Sequence, residues 1–229
     1  MFVGHYGPAF AAKPAAKPVP LWLLFVAVQF MDIMWSLFVF LGVEKLRIVP
    51  GFTATNPLDL YFMPYTHGLL GSLVLSALLG GVSEYFIPQK GRTFLVVGAC
   101  VFSHWILDLI VHVPDLPLIG DHMKVGFGLW RWRDISLAAE FVTLFAGLFV
   151  LLRYAPTADR SYNIRLWALA GWLAGGQIFA TFGPQPTTPQ IAAAMALGGY
   201  TVFALFAWQV DRARGLAGPA KVPSFQSNH

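Results

Sequence analysis

The sequence has a single cysteine and very few charged residues. Because Cys100 has no partner among the 229 residues, the chain forms no internal disulfide and no zinc site built from several thiolates. Charged residues make up 11% of the chain, whereas soluble domains average about 25%. Cys100 itself lies in an apolar run, which is typical of a small buried side chain. So low a charge content excludes an ordinary soluble domain.

Long apolar runs take the place of the missing charge, and hydrophobic residues make up 57% of the chain. A helix needs about 20 apolar residues to cross a bilayer. Six segments reach that length, at 20–43, 65–86, 93–113, 135–154, 164–184 and 190–210. The sequence therefore predicts an all-α fold, a polytopic transmembrane helix bundle of about six spans within residues 20–210.

The two ends of the chain differ from this bundle. Residues 1–19 contain an apolar stretch too short to span, followed by Pro14 and Pro18, which break a helix. We expect a short N-terminal helix that lies at the membrane interface or tucks back into the bundle. The stretch lacks the order of a signal peptide, so we expect no cleavage. Residues 211–229 are polar and rich in glycine and proline, which predicts a flexible tail.

The net charge of +4 comes from lysines and arginines scattered singly through short loops. No basic cluster or aromatic-interleaved face is present, so we expect no nucleic-acid partner. Most of these residues fall on the side of the predicted bundle that also holds both ends of the chain. Because basic loops stay in the cytoplasm, the pattern predicts cytoplasmic termini.

The last two apolar segments are rich in small residues. Gly171 and Gly175 have the GxxxG spacing that lets membrane helices approach closely. This pattern predicts tight helix packing and offers a contact surface for a second copy of the chain or for another membrane subunit. We predict no chemistry in these two segments.

Ionisable side chains interrupt the other apolar segments. A charged residue at the centre of a bilayer costs roughly 2.5–3.5 kcal/mol on insertion scales, so each one calls for a role. They are Asp32 in the first segment, His67 at the start of the second, His104, Asp108 and His112 in the third, and Glu140 in the fourth. Glu140 is expected at the interface, facing water.

The third segment carries its ionisable residues in one stripe. With 100° per residue, His104, Asp108 and His112 drift by only about 40° per step around a helix. His104 and Asp108, at i and i+4, can close on one ion, and imidazole with carboxylate suits zinc, as well as manganese or iron. A catalytic zinc takes three protein ligands, so Asp32 and His67 are predicted to complete the site. The competing interpretation is hydrogen bonding between helices.

His112, the last member of the stripe, has two candidate roles. It is either a further ligand or a group that carries a proton at neutral pH. Asp115 follows Pro114 and is either a turn former or a hydrogen-bond partner that orients His112.

The polar residues, taken in order, resemble a family pattern. Gly4-His5, Asp32, Thr66-His67 and Ser103-His104 with Asp108 resemble the bacterial membrane-bound metal-dependent hydrolase family (YdjM-like) over about residues 1–115. The resemblance implies a zinc-dependent, hydrolase-like protein of the bacterial inner membrane. It also implies that His5, Asp32, His67, His104 and Asp108 are the metal ligands.

The chain departs from that pattern in places. Family members often carry a second acid where this chain has Met34, and a serine where it has Gly68. His112 and the following VPDLP run are additional features that indicate a divergent branch. In the predicted topology the third segment runs outward, so His67, Asp32 and the His104 stripe are expected to meet in the outer half of the bundle. His5 conflicts with this topology, because an N-terminal segment on the cytoplasmic side would lie far from that half.

Three functions fit these residues. The first is a metallohydrolase that acts on a membrane lipid or another membrane-accessible ester, with Asp32 as ligand or general base and His112 as proton donor. The second is a transporter or an ion or proton pathway that uses the same polar groups. The third is a non-catalytic accessory subunit in which those groups lock the helices together.

Overall fold

The structure is a computed structural model that describes residues 1–216, so the predicted tail lies outside the described residues from residue 217 onward. Residues 211–216, the first part of the predicted tail, are helical, because the last helix continues to Leu216. The elements are α1 (Tyr6–Ala12), α2 (Leu21–Val28), α3 (Phe30–Phe40), β1 (Lys45–Ile48), β2 (Leu58–Phe62), α4 (Leu69–Phe86), α5 (Arg92–Val111), α6 (Arg133–Tyr154), α7 (Arg160–Phe182) and α8 (Pro189–Leu216). The chain is mostly helical, in agreement with the predicted class.

Four of these helices are long and apolar enough to cross a membrane, namely α4, α5, α6 and α8. The α2–α3 pair, bent by 54°, would make a fifth if it counts as one span. α7 occupies the predicted segment 164–184 but is not among them. The structure thus supports four or five apolar spans, and a sixth stays a prediction.

The N-terminal helix lies in the core of the bundle. Val3, Tyr6 and Phe10 are fully buried, and α1 packs along α6. The two backbones meet where Gly7 faces Gly147, since a Cβ on Gly147 would lie 2.0 Å from the Gly7 carbonyl oxygen. Of the two expected positions, α1 has the second: it tucks back into the bundle and does not lie at an interface, because its side chains are mostly apolar and the glycine contact lets it sit inside.

A break in the predicted first span shapes the bundle interior. Gln29 separates α2 from α3 with a non-helical backbone, although the sequence has no glycine or proline there. The last carbonyls of a helix lack intrahelical partners, so the end of α2 leaves the Val28 carbonyl free to accept another bond. The Gln29 side chain donates to the carbonyl oxygen of Phe2 at 3.1 Å and ties the break to the N-terminal segment.

The connection between the first two predicted spans, residues 44–64, contains a small antiparallel hairpin. β1 pairs with β2, and Arg47 and Asp59 form an exposed ion pair across it. A second long connection, between α5 and α6, is pinned by a bridge between Leu116 and Val125. These two connections close the same end of the bundle.

The GxxxG spacing does not mediate packing within the chain. A Cβ added at Gly171 or Gly175 would meet nothing within 4 Å, so both face outward. The expectation that they pack helices of this bundle is wrong, and a contact with a second chain stays a prediction.

We expect Gly147→Ala to lower the stability of the bundle, because the new methyl group would strike the α1 backbone. Overpacking of this kind costs about 1–3 kcal/mol. The matched control, Gly171→Ala, should be neutral or slightly stabilising, because alanine favours helices by about 1 kcal/mol over glycine. Thermal unfolding in detergent measures both variants, and equal midpoints for the two would contradict the observed α1–α6 contact.

Candidate metal centre

The predicted site residues come together from four parts of the chain. His5 lies in a single 3₁₀ turn before α1, Asp32 on α3, His67 just before α4, and His104 and Asp108 on α5. His112 follows the last residue of α5. All are buried except Asp32, whose side chain keeps 15% of its surface exposed.

Asp108 lies at the centre of this cluster, with five nitrogen atoms around its carboxylate. Oδ1 lies 3.1 Å from His5 Nε2 and 2.6 Å from the Met1 amino group. Oδ2 lies 3.1 Å from Nε2 of His104, 3.6 Å from that of His67 and 3.5 Å from that of His112. The stripe predicted on this helix therefore does converge on one carboxylate.

Asp32 is the second carboxylate of the cluster. Its Oδ1 lies 3.1 Å from His67 Nε2 and 3.6 Å from His104 Nε2. The ligand atoms of His5, His104 and Asp108 lie within 4.8 Å of one another, and so do those of Asp32, His67 and His104. His104 belongs to both groups and links them.

Three of the histidines make the same kind of hydrogen bond with Nδ1, the outer nitrogen, which faces away from the two carboxylates. Their inner nitrogen, Nε2, faces a carboxylate. His104 Nδ1 lies 2.7 Å from the Val28 carbonyl oxygen, and His112 Nδ1 lies 2.8 Å from Asp115 Oδ1. A carbonyl oxygen and a carboxylate only accept, so each Nδ1 carries the proton. The contact also shows Asp115 orienting His112, one of the two roles open from the sequence.

His67 also carries its proton on Nδ1, where its partner is a hydroxyl group. Its Nδ1 lies 2.8 Å from Thr66 Oγ1, and that hydroxyl donates to Glu44 Oε2 at 2.6 Å. Because the hydroxyl proton is committed to Glu44, the His67 Nδ1–H donates to the Thr66 oxygen. Glu44 is in turn fixed by the backbone N–H groups of Tyr65 and Thr66.

The inner nitrogens consequently point lone pairs at carboxylate oxygens. A neutral imidazole with its proton on Nδ1 has only an acceptor at Nε2, and carboxylates are acceptors as well. His104 Nε2 is buried and has no hydrogen-bond partner among the described residues, although Asp108 Oδ2 is 3.1 Å away. Besides the Met1 amino group at Asp108 Oδ1, the facing acceptors need a cation between them, either a proton on the rings or a metal ion.

The donor set fits a divalent metal ion. Imidazole nitrogens and carboxylate oxygens are ligands that zinc takes, and metal-binding histidines generally donate their other N–H to a carbonyl or carboxylate. Val28, Thr66 with Glu44, and Asp115 have that outer position here.

His5 joins the cluster because α1 lies inside the bundle. Its ring stacks on that of His104, with 3.7 Å between centroids and 5° between planes. Burial lowers the pKa of His5 to about 3. α1 and α2 form a hairpin whose turn lies beside the α4–α5 connection, so α1 starts at the site. This arrangement removes the conflict between His5 and the topology predicted from the sequence.

Sequence reasoning missed Tyr200, which contacts Asp32, and Glu44, which acts through Thr66, and it misplaced Glu140. The Tyr200 hydroxyl, on α8, donates to Asp32 Oδ2 at 2.5 Å, although no chemistry was predicted on that helix. Glu44 gave no signal, because no spacing rule relates it to Thr66. Glu140 was expected to face water but is buried, and it accepts N–H bonds from Phe2 at 2.8 Å and Gly4 at 2.6 Å.

Comparisons with family models, with curated proteins and with solved structures found no match to this chain. The resemblance to the metal-dependent hydrolase family therefore stays a prediction that depends on the quoted residues.

We expect Thr66→Val to weaken zinc binding about 10- to 100-fold, the usual effect of removing an outer partner of a metal-binding histidine. Valine keeps the shape of the side chain but cannot accept from His67 Nδ1. Thr201→Val is the matched control, because Thr201 is exposed on α8 and bonds only within its helix. Competition with a zinc chelator gives both affinities, and an unchanged Thr66→Val affinity would count against the His67 arrangement.

Proposed function

We propose that the protein is an integral membrane, metal-dependent hydrolase that binds zinc and cleaves an ester reached from the bilayer. One observation carries the proposal: His67, His104 and His112 each donate Nδ1–H outward and aim Nε2 at Asp32 or Asp108. Burying so many ionisable groups inside a membrane costs free energy, and this cost favours a functional role over helix packing alone.

His104, His67 and Asp108 would hold the metal, since the Nε2 atoms of the two rings lie 3.1 and 3.6 Å from Asp108 Oδ2 and a catalytic zinc takes three protein ligands. His5, whose Nε2 lies 3.1 Å from Asp108 Oδ1, is a further candidate ligand. A bound zinc ion would polarise the ester carbonyl and bring the pKa of water near 7. Without Asp32 the ligand number is already sufficient, which leaves that carboxylate for proton transfer.

Asp32 and His112 have suitable positions for the two proton transfers of hydrolysis. Both line the cavity that opens onto the centre. Tyr200 fixes one oxygen of Asp32, and the other oxygen faces the site, so Asp32 can take a proton from the attacking water. Asp115 orients His112 and stabilises its doubly protonated ring, whose Nε2–H can give its proton to the departing alkoxide.

The proposed topology has the site near the non-cytoplasmic end of the bundle. The connections at 41–68 and 112–132 close this end, and the side that is richer in lysine and arginine lies opposite. The inner membrane of a bacterium is the proposed location, with the C-terminus in the cytoplasm. Met1 is buried beside Asp108 in the bundle interior.

The first test is the metal content of the detergent-purified protein. We expect stoichiometric zinc in the wild type and at least a tenfold lower content in His104→Ala and Asp108→Ala, because each removes a ligand. His122→Ala is the control, since that histidine is exposed in a loop away from the centre. Wild-type protein without any stoichiometric metal would overturn the proposal, and zinc flux into liposomes without ester cleavage would favour a transporter.

The second test separates the two roles of Asp32. We expect Asp32→Asn to keep its zinc and to lose about 10²- to 10⁴-fold in kcat, the usual contribution of a general base. Loss of zinc in this variant would instead make Asp32 a ligand. Elemental analysis and ester hydrolysis on the same preparation give both answers.

A further inference from the structure

A cavity of about 500 Å³ begins at the metal centre and continues between α7 and α8. Asp32, His67, Asp108 and His112 line its inner end. The volume lies within the roughly 300–1,000 Å³ of pockets that hold small ligands. The cavity therefore offers space for more than the reacting group.

The side wall of the cavity is apolar. Phe179 and Ala180 on α7 and Met195, Ala196 and Phe203 on α8 line it. Phe179 is 58% exposed and Met195 is 44% exposed, so the wall continues onto the outer faces of the two helices. In a bilayer those faces meet lipid tails, and an acyl chain can pass from the membrane along the wall without crossing water.

The mouth of the cavity is polar but uncharged. Asn56, Thr181 and Gln185 line it, and none of the described lining residues is a lysine or an arginine. Proteins bind phosphate groups with arginine or lysine side chains. Amide and hydroxyl groups instead pair with hydroxyl groups, so the mouth suits a neutral, hydroxylated part of a ligand.

We propose that the cavity binds a neutral acyl ester of a hydroxylated alcohol, with its acyl chain against α7 and α8 and its alcohol at Asn56 and Gln185. This inference rests on the proposed hydrolase function and names its substrate class. The oxygen of water bonds to the carbonyl carbon, and the bond from that carbon to the alcohol oxygen breaks. The alcohol takes one proton of the water, and the fatty acid retains the new oxygen.

Small side chains keep the chain-binding part of the cavity open. Ala196 lies on the wall, and Gly176 leaves room for the Phe203 ring, which would be 2.8 Å from a Cβ there. A bulky side chain at residue 196 would occupy the space that the acyl chain needs.

The test uses zinc-loaded protein in nanodiscs with acetyl and octanoyl monoesters of glycerol and with a lysophospholipid of the same chain length. We expect kcat/KM for the octanoyl ester to exceed that of the acetyl ester at least tenfold, since each methylene in an apolar pocket contributes about 10-fold or more. Ala196→Phe should reduce this ratio at least tenfold, and Ala196→Val should reduce it less.

Ala194→Phe is the matched control, because Ala194 is exposed on the same helix and does not line the cavity. It should keep the wild-type ratio. Equal ratios in wild type and Ala196→Phe, or faster cleavage of the lysophospholipid than of the neutral ester, would overturn the inference while leaving the hydrolase function standing.

A second measurement does not depend on turnover. A photoreactive octanoyl glycerol should label α7 and α8 at residues 179–181 and 192–200, and unlabelled octanoyl glycerol should suppress this labelling. Ala196→Phe should lose the competed labelling, whereas Ala194→Phe should keep it. Competed labelling together with bound zinc but no ester cleavage would refute the hydrolase function alone, and labelling that no ester competes would refute the acyl site.

Discussion

A buried carboxylate that must be neutralised governs this structure. Asp108 lies on an apolar helix with 1% of its surface exposed, and an unpaired ion in such surroundings costs several kcal/mol. Four histidine rings and an amino group converge on it from different parts of the chain. The positions of α1, of the α2–α3 break and of the segment before α4 all follow from bringing these groups to one point.

The N-terminal segment is held at this point by backbone contacts as well as by the pairing of the Met1 amino group with Asp108. Gly7 and Gly147 allow α1 to lie directly against α6, and Glu140 accepts the N–H groups of Phe2 and Gly4. The buried Glu140 thus satisfies backbone donors at the start of a short helix, where no intrahelical acceptor exists. His5 reaches Asp108 only because these contacts fix the turn that carries it.

The outer hydrogen bonds give the histidines a common direction. The end of α2 supplies the Val28 carbonyl, the connection after α5 supplies the Asp115 carboxylate, and Glu44 acts through Thr66. Three different local structures therefore produce one result, an Nε2 lone pair facing the interior. Tyr200 adds the equivalent restraint on Asp32 and places α8 beside the chemistry as well as beside the cavity.

The sequence by itself determined the helical class, most of the helix positions and the His104–Asp108 pair. Runs of about 20 apolar residues and the i,i+4 spacing are local properties of the chain, so they can be read from the sequence. It also placed His67 and Asp32 in the same group, since few polar residues interrupt the apolar segments. Only the tertiary structure decided the rest. The break at Gln29 has no proline or glycine to mark it, the burial of α1 depends on Gly147 more than a hundred residues away, and Glu44 and Tyr200 acquire their roles through contacts. Interactions between residues remote in sequence leave no periodic pattern, so they become visible only when the helices are packed.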